Sequence, residues 1–331
     1  MTGIAIVGRG VMAHAHARAW SELGLGDRIR YVSTLTIGAP LPHAPRARFE
    51  PDFDAVLADP LVTIVSVCTP TSTHAGIALR ALRAGKSVLL EKPIAHTLAD
   101  AMAIHEAARQ SAGVLMVAHV VRFFDGYRSI REAVQSGRLG EILSARAGRF
   151  SSKPRPSTWW HDDSKSGGMV VDFSIHDFDQ LNLFLGHPLA VTARRARSDG
   201  PIEATVDYEG GGVGHVVGFM GMPAGFTLAS TLELVGSAGL ATHGYSGLLD
   251  SGVASAAPDA VRIQTVGGVT ERPIAEHNPY RNQARYFLEC VRADTTPEFC
   301  PVDAAVLALA VALAARESFR TGSAVAITAT F

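Results

Sequence analysis

A short β-branched run, Ile4 to Val7, leads directly into the loop Gly8-Arg9-Gly10-Val11-Met12-Ala13 and then into an alanine-rich helical stretch, Met12 to Leu23. No other feature restricts the fold as much. A strand that turns at once through G-x-G-x-x-A into a helix opens a βαβ dinucleotide-binding unit. Gly8 permits the tight turn, Gly10 lets a pyrophosphate approach the backbone, Ala13 allows close helix packing, and the helix offers its first N–H groups to the anion. The alternation continues to about residue 120. Strands are predicted at Arg30 to Ser33, Ile64 to Val67, Ser87 to Leu90 and Val114 to Val117, and helices around Asp54 to Leu57, Ala75 to Ala84 and Leu98 to Ser111. This order requires a parallel sheet covered on both faces.

The pattern changes after residue 121. A helix near Gly126 to Ser136 and a strand near Ile142 to Phe150 precede the Pro/Ser-rich stretch KPRPST. The run GGMVVDFSIHDFDQLNLFLG that follows is long enough for one helix of about four to five turns. From Val191 to Val266, alternating stretches such as VGHVVGFM and FTLASTLELVG suit several antiparallel strands, and Asn282 to Ser318 reads as mostly helical. The expected organisation is a dinucleotide-binding domain over 1–121 and an α+β domain over 122–331. A chain of 331 residues fits two cores.

Composition narrows the function classes. Basic and acidic residues balance at 30 against 31, and the arginines are scattered, which argues against nucleic acid or an anionic membrane as partner. Cys68, Cys290 and Cys300 form no CxxC pair, which suits a reducing cytoplasm. The N-terminus lacks the basic and apolar segments of a secretion signal, and the apolar run from Ala304 to Ala315 is short of the roughly 20 residues that span a bilayer.

Four places carry chemistry. The second strand ends Tyr31-Val32-Ser33-Thr34, without the acidic residue that usually binds an NAD ribose. Ser33 or Thr34 suits a hydroxyl or a 2′-phosphate, and Arg9 is near enough in the loop to reach a phosphate or simply to be solvated; the reading leans toward NADP over NAD. Cys68-Thr69-Pro70-Thr71-Ser72-Thr73-His74 follows the third strand, where open α/β sheets bind ligands, although a plain capped turn has the same composition. The run SVLLEKPIAH breaks a buried strand with Glu91, Lys92 and Pro93. The chain has 26 arginines and only four lysines, Lys86, Lys92, Lys153 and Lys165. Such a bias puts arginine wherever charge alone is needed, so Lys92 reads as a required amine. Asp172 and His176 stand i, i+4 on the expected helix, with Asp179 nearly on the same face. A carboxylate beside an imidazole suits general acid/base work; a surface or capping pair has the same spacing. His14 and His16 point to different sides of a helix and no third ligand is indicated, so no metal is expected.

Taken together these motifs resemble the Gfo/Idh/MocA oxidoreductases over essentially the whole chain. The resemblance rests on the G-x-G-x-x-A loop, CTPTSTH, EKP at 91–93, GG-x3-D-x3-H-x2-D from Gly167 to Asp179, and NPYRNQARYFLECV near the end. Thr71 replaces the family's usual Asn, and the acid of the second strand is missing. The resemblance implies an α/β fold: an N-terminal Rossmann doubly wound parallel sheet, then an α+β domain with a large open, mostly antiparallel sheet often used for homo-oligomer contacts in dimers or tetramers. It implies a nicotinamide cofactor, NAD or NADP, held by Gly8 to Ala13, Ser33, Thr34, Cys68 to Thr71, His74, Glu91, Lys92 and Pro93. It also implies that Lys92 borders nicotinamide and substrate, with Asp172 and His176 facing it. The expected activity is hydride transfer at a CH–OH group of a sugar, cyclitol or related polyol. His119, Arg122, Trp159, Trp160 and Asp163 are candidates for the substrate's hydroxyls and C–H faces, the tryptophans suiting ordinary packing equally well; His277 and Tyr280 are weaker ones. Alternatives are a nucleotide-sugar or trans-dihydrodiol dehydrogenase of the same fold, or a dinucleotide sensor without turnover.

Overall fold

The computed structural model describes residues 2–35, 38–152, 162–197, 199–247, 260–274 and 277–329, without the side chains of residues 163 and 164. Six strands, β1 (Ile4–Val7), β2 (Ile29–Ser33), β3 (Arg48–Phe49), β4 (Ile64–Val67), β5 (Ser87–Glu91) and β6 (Leu115–Ala118), form a sheet in the order β3-β2-β1-β4-β5-β6. All neighbours are parallel. Every residue of β1, β4, β5 and β6 is buried, which is why these strands read as unbroken apolar runs rather than alternating ones. The connecting helices are α1 (Val11–Glu22), α2 (Phe53–Ala58), α3 (His74–Arg83) and α4 (Leu98–Gln110). Chain direction across the sheet reverses between β1 and β4, and ligands of open α/β sheets bind at the carboxyl ends of the strands there.

A second sheet begins after α5 (Asp125–Gln135) with β7 (Ile142–Ser152), followed by three short helices, α6 (Asp163–Ser166), α7 (Gly168–Asp172) and α8 (Ile175–Leu185). Then come β8 (Pro188–Arg195), β9 (Ile202–Tyr208), β10 (Val213–Met222), β11 (Leu228–Gly236), β12 (Gly239–Gly247), β13 (Ala260–Thr265) and β14 (Gly268–Pro273). The chain closes with α9 (Pro279–Ala293), α10 (Val302–Thr321) and β15 (Val325–Ala326). The strand order is β14-β13-β12-β11-β7-β10-β9-β8-β15, antiparallel at every described pairing except β7 with β10. The period-two burial of β9 shows one face covered and the other more open.

The stretch from Gly167 to Gly186 is not a single helix: it breaks between Asp172 and Ile175. The Met169 carbonyl accepts from both Phe173 and Ser174, and the second of these is the six-to-one bond that ends a helix. Ser174 is held down where a Cβ on Gly218 of β10 would stand 2.5 Å from its Oγ. Close approach to the sheet therefore resets the chain before α8 starts.

The compact units also differ from the contiguous cut at 121. Residues 1–123 cluster with 278–306, and 124–277 with 307–331. The return has a local cause. Asn278 caps α9 by accepting from the N–H groups of Tyr280 and Arg281, and the buried stripe of α9 includes Phe287, whose ring meets Trp20 of α1 edge-on at 6.5 Å. Trp20 is itself fixed by donating from Nε1 to Ser66 Oγ at 3.0 Å. No helix among the described residues is long and apolar enough to cross a membrane.

Candidate active site

At the carboxyl edge of the parallel sheet, Gly8 has φ +106°, and a Cβ there would lie 2.7 Å from the carbonyl oxygen of Cys68. Only glycine fits. A Cβ on Gly10, by contrast, would meet nothing within 4 Å. The space over the loop is open, α1 has no side-chain cap, and its first turn contains no acidic residue. An open glycine cradle against an uncapped helix N-terminus is the arrangement that receives a pyrophosphate, so the residues present fit a dinucleotide. Val11 is largely exposed, whereas Ala13 is fully buried against the sheet. Ser33 ends β2, is buried, and its carbonyl takes the Gly8 N–H at 2.8 Å. Thr34 follows it. The Arg9 guanidinium packs on the segment after β2, where a Cβ on Gly38 would collide with it, and donates to the Ala39 carbonyl at 3.4 Å.

The segment after β4 forms a single turn of 3-10 helix, Thr71–Thr73, before α3. Thr73 Oγ1 donates toward Thr69 Oγ1 and the Pro70 carbonyl, at 2.7 and 2.8 Å. His74 is buried between two carbonyls: Nδ1 is 2.7 Å from Pro93 O and Nε2 is 2.9 Å from Thr69 O. Burial lowers its pKa, and the two carbonyls act in the opposite sense. A neutral ring donates to one of them at a time.

β5 ends at Glu91, and the Lys92-Pro93 bond is cis. The Glu91 carboxylate is buried and divided: Oε1 is 3.0 Å from His16 Nε2, and Oε2 accepts the Lys92 backbone N–H at 3.2 Å. His16 lies on the buried stripe of α1 with Ala13, Ala17 and Trp20. Burial alone would lower its pKa, but Cys68 and then Glu91 outweigh it and push His16 up to about 10. Burial pushes the Cys68 thiol up as well. Of the other candidates in this unit, His119 and Arg122 are buried, and Arg122 donates to the Phe299 carbonyl at 2.9 Å. Tyr280 is buried on α9.

In the second unit, Asp172 ends α7 and His176 lies in the first turn of α8, both partly exposed. Asp179, expected nearly on their face, is almost fully buried with Gln180 Nε2 at 3.3 Å. Asp177 is fully buried and takes Arg149 of β7 at both carboxylate oxygens, 3.1 and 2.9 Å. Burial opposes the Arg149 charge, yet Asp177 outweighs it and raises its pKa. The exposed His277 is bound to Asp125, Nδ1 to Oδ2 at 2.7 Å. Trp159 and Trp160 lie outside the described residues, as does the side chain of Asp163. No group of three or more His, Cys, Asp or Glu among the described residues is placed to hold a metal ion.

The fold thus gathers the glycine loop, Ser33, Cys68 to His74 and Glu91 to Pro93 at one sheet edge, and leaves Asp172 and His176 on either side of the break between α7 and α8. Sequence reasoning missed His16, Arg149 and Asp177. For His16 a signal existed: it continues the apolar stripe of α1, where a solvated histidine does not belong.

Two family models match the chain, one described as "Oxidoreductase family, NAD-binding Rossmann fold" over residues 2–119 and one as the GFO/IDH/MocA C-terminal domain over 127–242. The 1,5-anhydro-D-fructose reductase of Ensifer adhaerens is 31% identical over 83% of this chain and 82% of its own length. The scyllo-inositol 2-dehydrogenase (NAD(+)) of Bacillus subtilis is 26% identical over 81% of this chain and 78% of its own. Among solved structures, GenD2 from gentamicin A biosynthesis, in complex with NAD, superposes with a TM-score of 0.80 at 26% identity, over 99% of this chain and 97% of that one. With a Rossmann sheet that carries the glycine cradle and EKP turn, a largely antiparallel second sheet, and a relative matched over most of both chains, the protein belongs to the Gfo/Idh/MocA family of oxidoreductases.

Proposed function

We propose that the protein is an NAD(P)-dependent dehydrogenase or reductase acting on a secondary alcohol or ketone of a sugar, cyclitol or related polyol. The observation that carries this reading is the Lys92 turn, fastened through Glu91 and Pro93 at the same sheet edge as the open glycine cradle. Relatives named as a sugar reductase and an inositol dehydrogenase support the substrate class. When bound, a nicotinamide supplies the hydride acceptor or donor. The N–H groups of Gly10 to Ala13 hold its pyrophosphate, and the residues from Cys68 to Thr71 with Glu91, Lys92 and Pro93 border its reactive end. Arg9, Ser33 and Thr34 take the adenosine ribose, and the missing carboxylate favours a 2′-phosphate, hence NADP.

In the oxidative direction His176 accepts the proton of the substrate hydroxyl oxygen, and Asp172 stabilises the imidazolium formed. The Lys92 ammonium donates to the same oxygen and stabilises its developing alkoxide character. The reading includes a cytoplasmic enzyme that pairs as a dimer or tetramer through its large sheet.

The test mixes the purified protein with NAD or NADP and a panel of cyclitols, aldoses and aldonic acids, with 1,5-anhydro-D-fructose in the reductive direction, and follows absorbance of the reduced nicotinamide. Turnover of one polyol or ketose is expected, with kcat/KM reduced at least about 10³-fold by Lys92→Ala, on the scale of losing a transition-state hydrogen bond donor. Tight cofactor binding with no turnover of any compound would overturn the proposal.

A further inference from the structure

The ladder between β5 and β6 ends at the pair Glu91 with Ala118, so the residues that follow no longer have a neighbouring strand to place them. An amine that must stand against a reacting atom needs a fixed origin, because a displacement of about 1 Å can cost on the order of 10²-fold in rate. Two buried side chains take over from the ladder. From α1, His16 Nε2 holds Glu91 Oε1 at 3.0 Å, while Oε2 of that carboxylate takes the Lys92 N–H at 3.2 Å. From the start of α3, His74 lies between two carbonyls, Nδ1 at 2.7 Å from Pro93 O and Nε2 at 2.9 Å from Thr69 O, and the tautomer with its proton on Nδ1 is the one that holds Pro93. The residues on both sides of Lys92 are each tied to a histidine that is at most 2% exposed.

We propose that His16 and His74 are positioning residues for Lys92, clamping the Glu91-Lys92-Pro93 turn from its two sides and fixing where the amine stands. Stability alone does not account for them. A buried ionic pair such as His16 with Glu91 repays its desolvation poorly, and apolar residues of similar volume would serve a core at least as well. What such a pair supplies is direction. The clamp also ties the turn to the helices behind it, since His16 lies on the buried stripe of α1 and His74 opens α3. The proposal rests on the reading above only for what Lys92 does, not for how it is held.

With only four lysines in the chain, acetylation by an N-hydroxysuccinimide ester followed by peptide mass spectrometry reports Lys92 without requiring activity. His16→Ala and His74→Ala are expected to raise its labelling rate at least about threefold while the exposed Lys165 is unchanged. His16→Gln and His74→Asn, which return an amide donor near the lost nitrogen, restore most of the protection and replace the alanine variants if these do not fold. In turnover, His16→Ala lowers kcat about 10- to 100-fold and changes the dissociation constant of the reduced cofactor less than about threefold. On a Lys92→Ala background the same change costs less than about twofold, because residues acting through one another are not additive. Folded alanine variants with unaltered Lys92 labelling, or a kcat loss that persists in full on the Lys92→Ala background, overturn the clamp. Full activity in Lys92→Ala would instead remove the catalytic role of Lys92, and labelling would still decide whether the histidines hold it.

Discussion

Arg149 and Asp177 form a two-point ion pair inside the second unit, Nε to Oδ2 at 3.1 Å and Nη2 to Oδ1 at 2.9 Å, with both side chains almost wholly out of solvent. The pair joins β7 to the first turn of α8, one residue after His176. The Phe173 ring lies 5.9 Å from the Arg149 Cζ, which adds a weak cation–π contact. Removing one partner strands the other in a dry site. Arg149→Met or Asp177→Leu is expected to cost about 3–5 kcal/mol in urea unfolding, whereas the double variant returns to within about 2 kcal/mol of the parent. Additive losses would show that the pair does not interact as its geometry indicates.

The pairing of His16 makes stability depend on pH on the alkaline side. Folding lifts His16 from 6.5 to about 10, so the folded protein holds the proton more tightly than the unfolded chain does. Its contribution is complete below 6.5 and is lost as pH rises through about 10. The groups facing it are Glu91 at the end of β5 and Cys68 after β4. Thermal melts from pH 6.5 to 10 should show a falling Tm for the parent. His16→Gln should start lower at pH 6.5 and fall less. Parallel curves for the two proteins would sink this assignment.

Much of the fold was legible because its signals are local. Parallel strands buried on both faces leave continuous apolar runs, and the turn at Gly8 cannot be written with another residue. The EKP turn was conspicuous because Lys92 stands in an arginine-rich chain. What stayed hidden depends on tertiary partners. The apolar stripe of α9 says that it packs but not that its partner is Trp20, more than 250 positions upstream in the sequence, so the return of residues 278–306 to the first unit could not be read. Likewise Asp172 and His176 keep the same spacing in a continuous helix or a broken one. The break is set by Ser174 against Gly218 and by Asp177 on Arg149, neither visible in periodicity.

The two loop glycines should separate folding from binding. Gly8→Ala places a Cβ 2.7 Å from the Cys68 carbonyl at a φ of +106°, and a substitution combining such a clash with αL-type strain is expected to cost on the order of 1–3 kcal/mol. Gly10 is extended and opens onto free space. Gly10→Ala should therefore melt like the parent, within about 0.5 kcal/mol, yet weaken dinucleotide binding at least about tenfold by filling the cradle. Urea titration and quenching of reduced-cofactor fluorescence measure the two effects. Equal behaviour of both variants in either assay would contradict the geometry.

Cofactor choice is the last test. The Arg9 guanidinium donates to the Ala39 carbonyl, six residues past the end of β2, and β2 ends without the carboxylate that an NAD-binding sheet usually presents. A guanidinium there attracts a 2′-phosphate, and charge-assisted bonds to phosphate are about twice as strong as neutral ones. Arg9→Ala is expected to lower kcat/KM with NADP at least about tenfold and to leave NAD nearly unaffected. Adding Thr34→Asp should go further, since a carboxylate repels the phosphate and accepts from ribose hydroxyls; Thr34 is the better site because Ser33 is buried, where a new charge would be costly. The pair of substitutions should therefore reverse the preference between the two dinucleotides. If the parent instead prefers NAD, and Arg9→Ala leaves the ratio of rates where it was, the guanidinium is only solvated and the ribose is read by other groups.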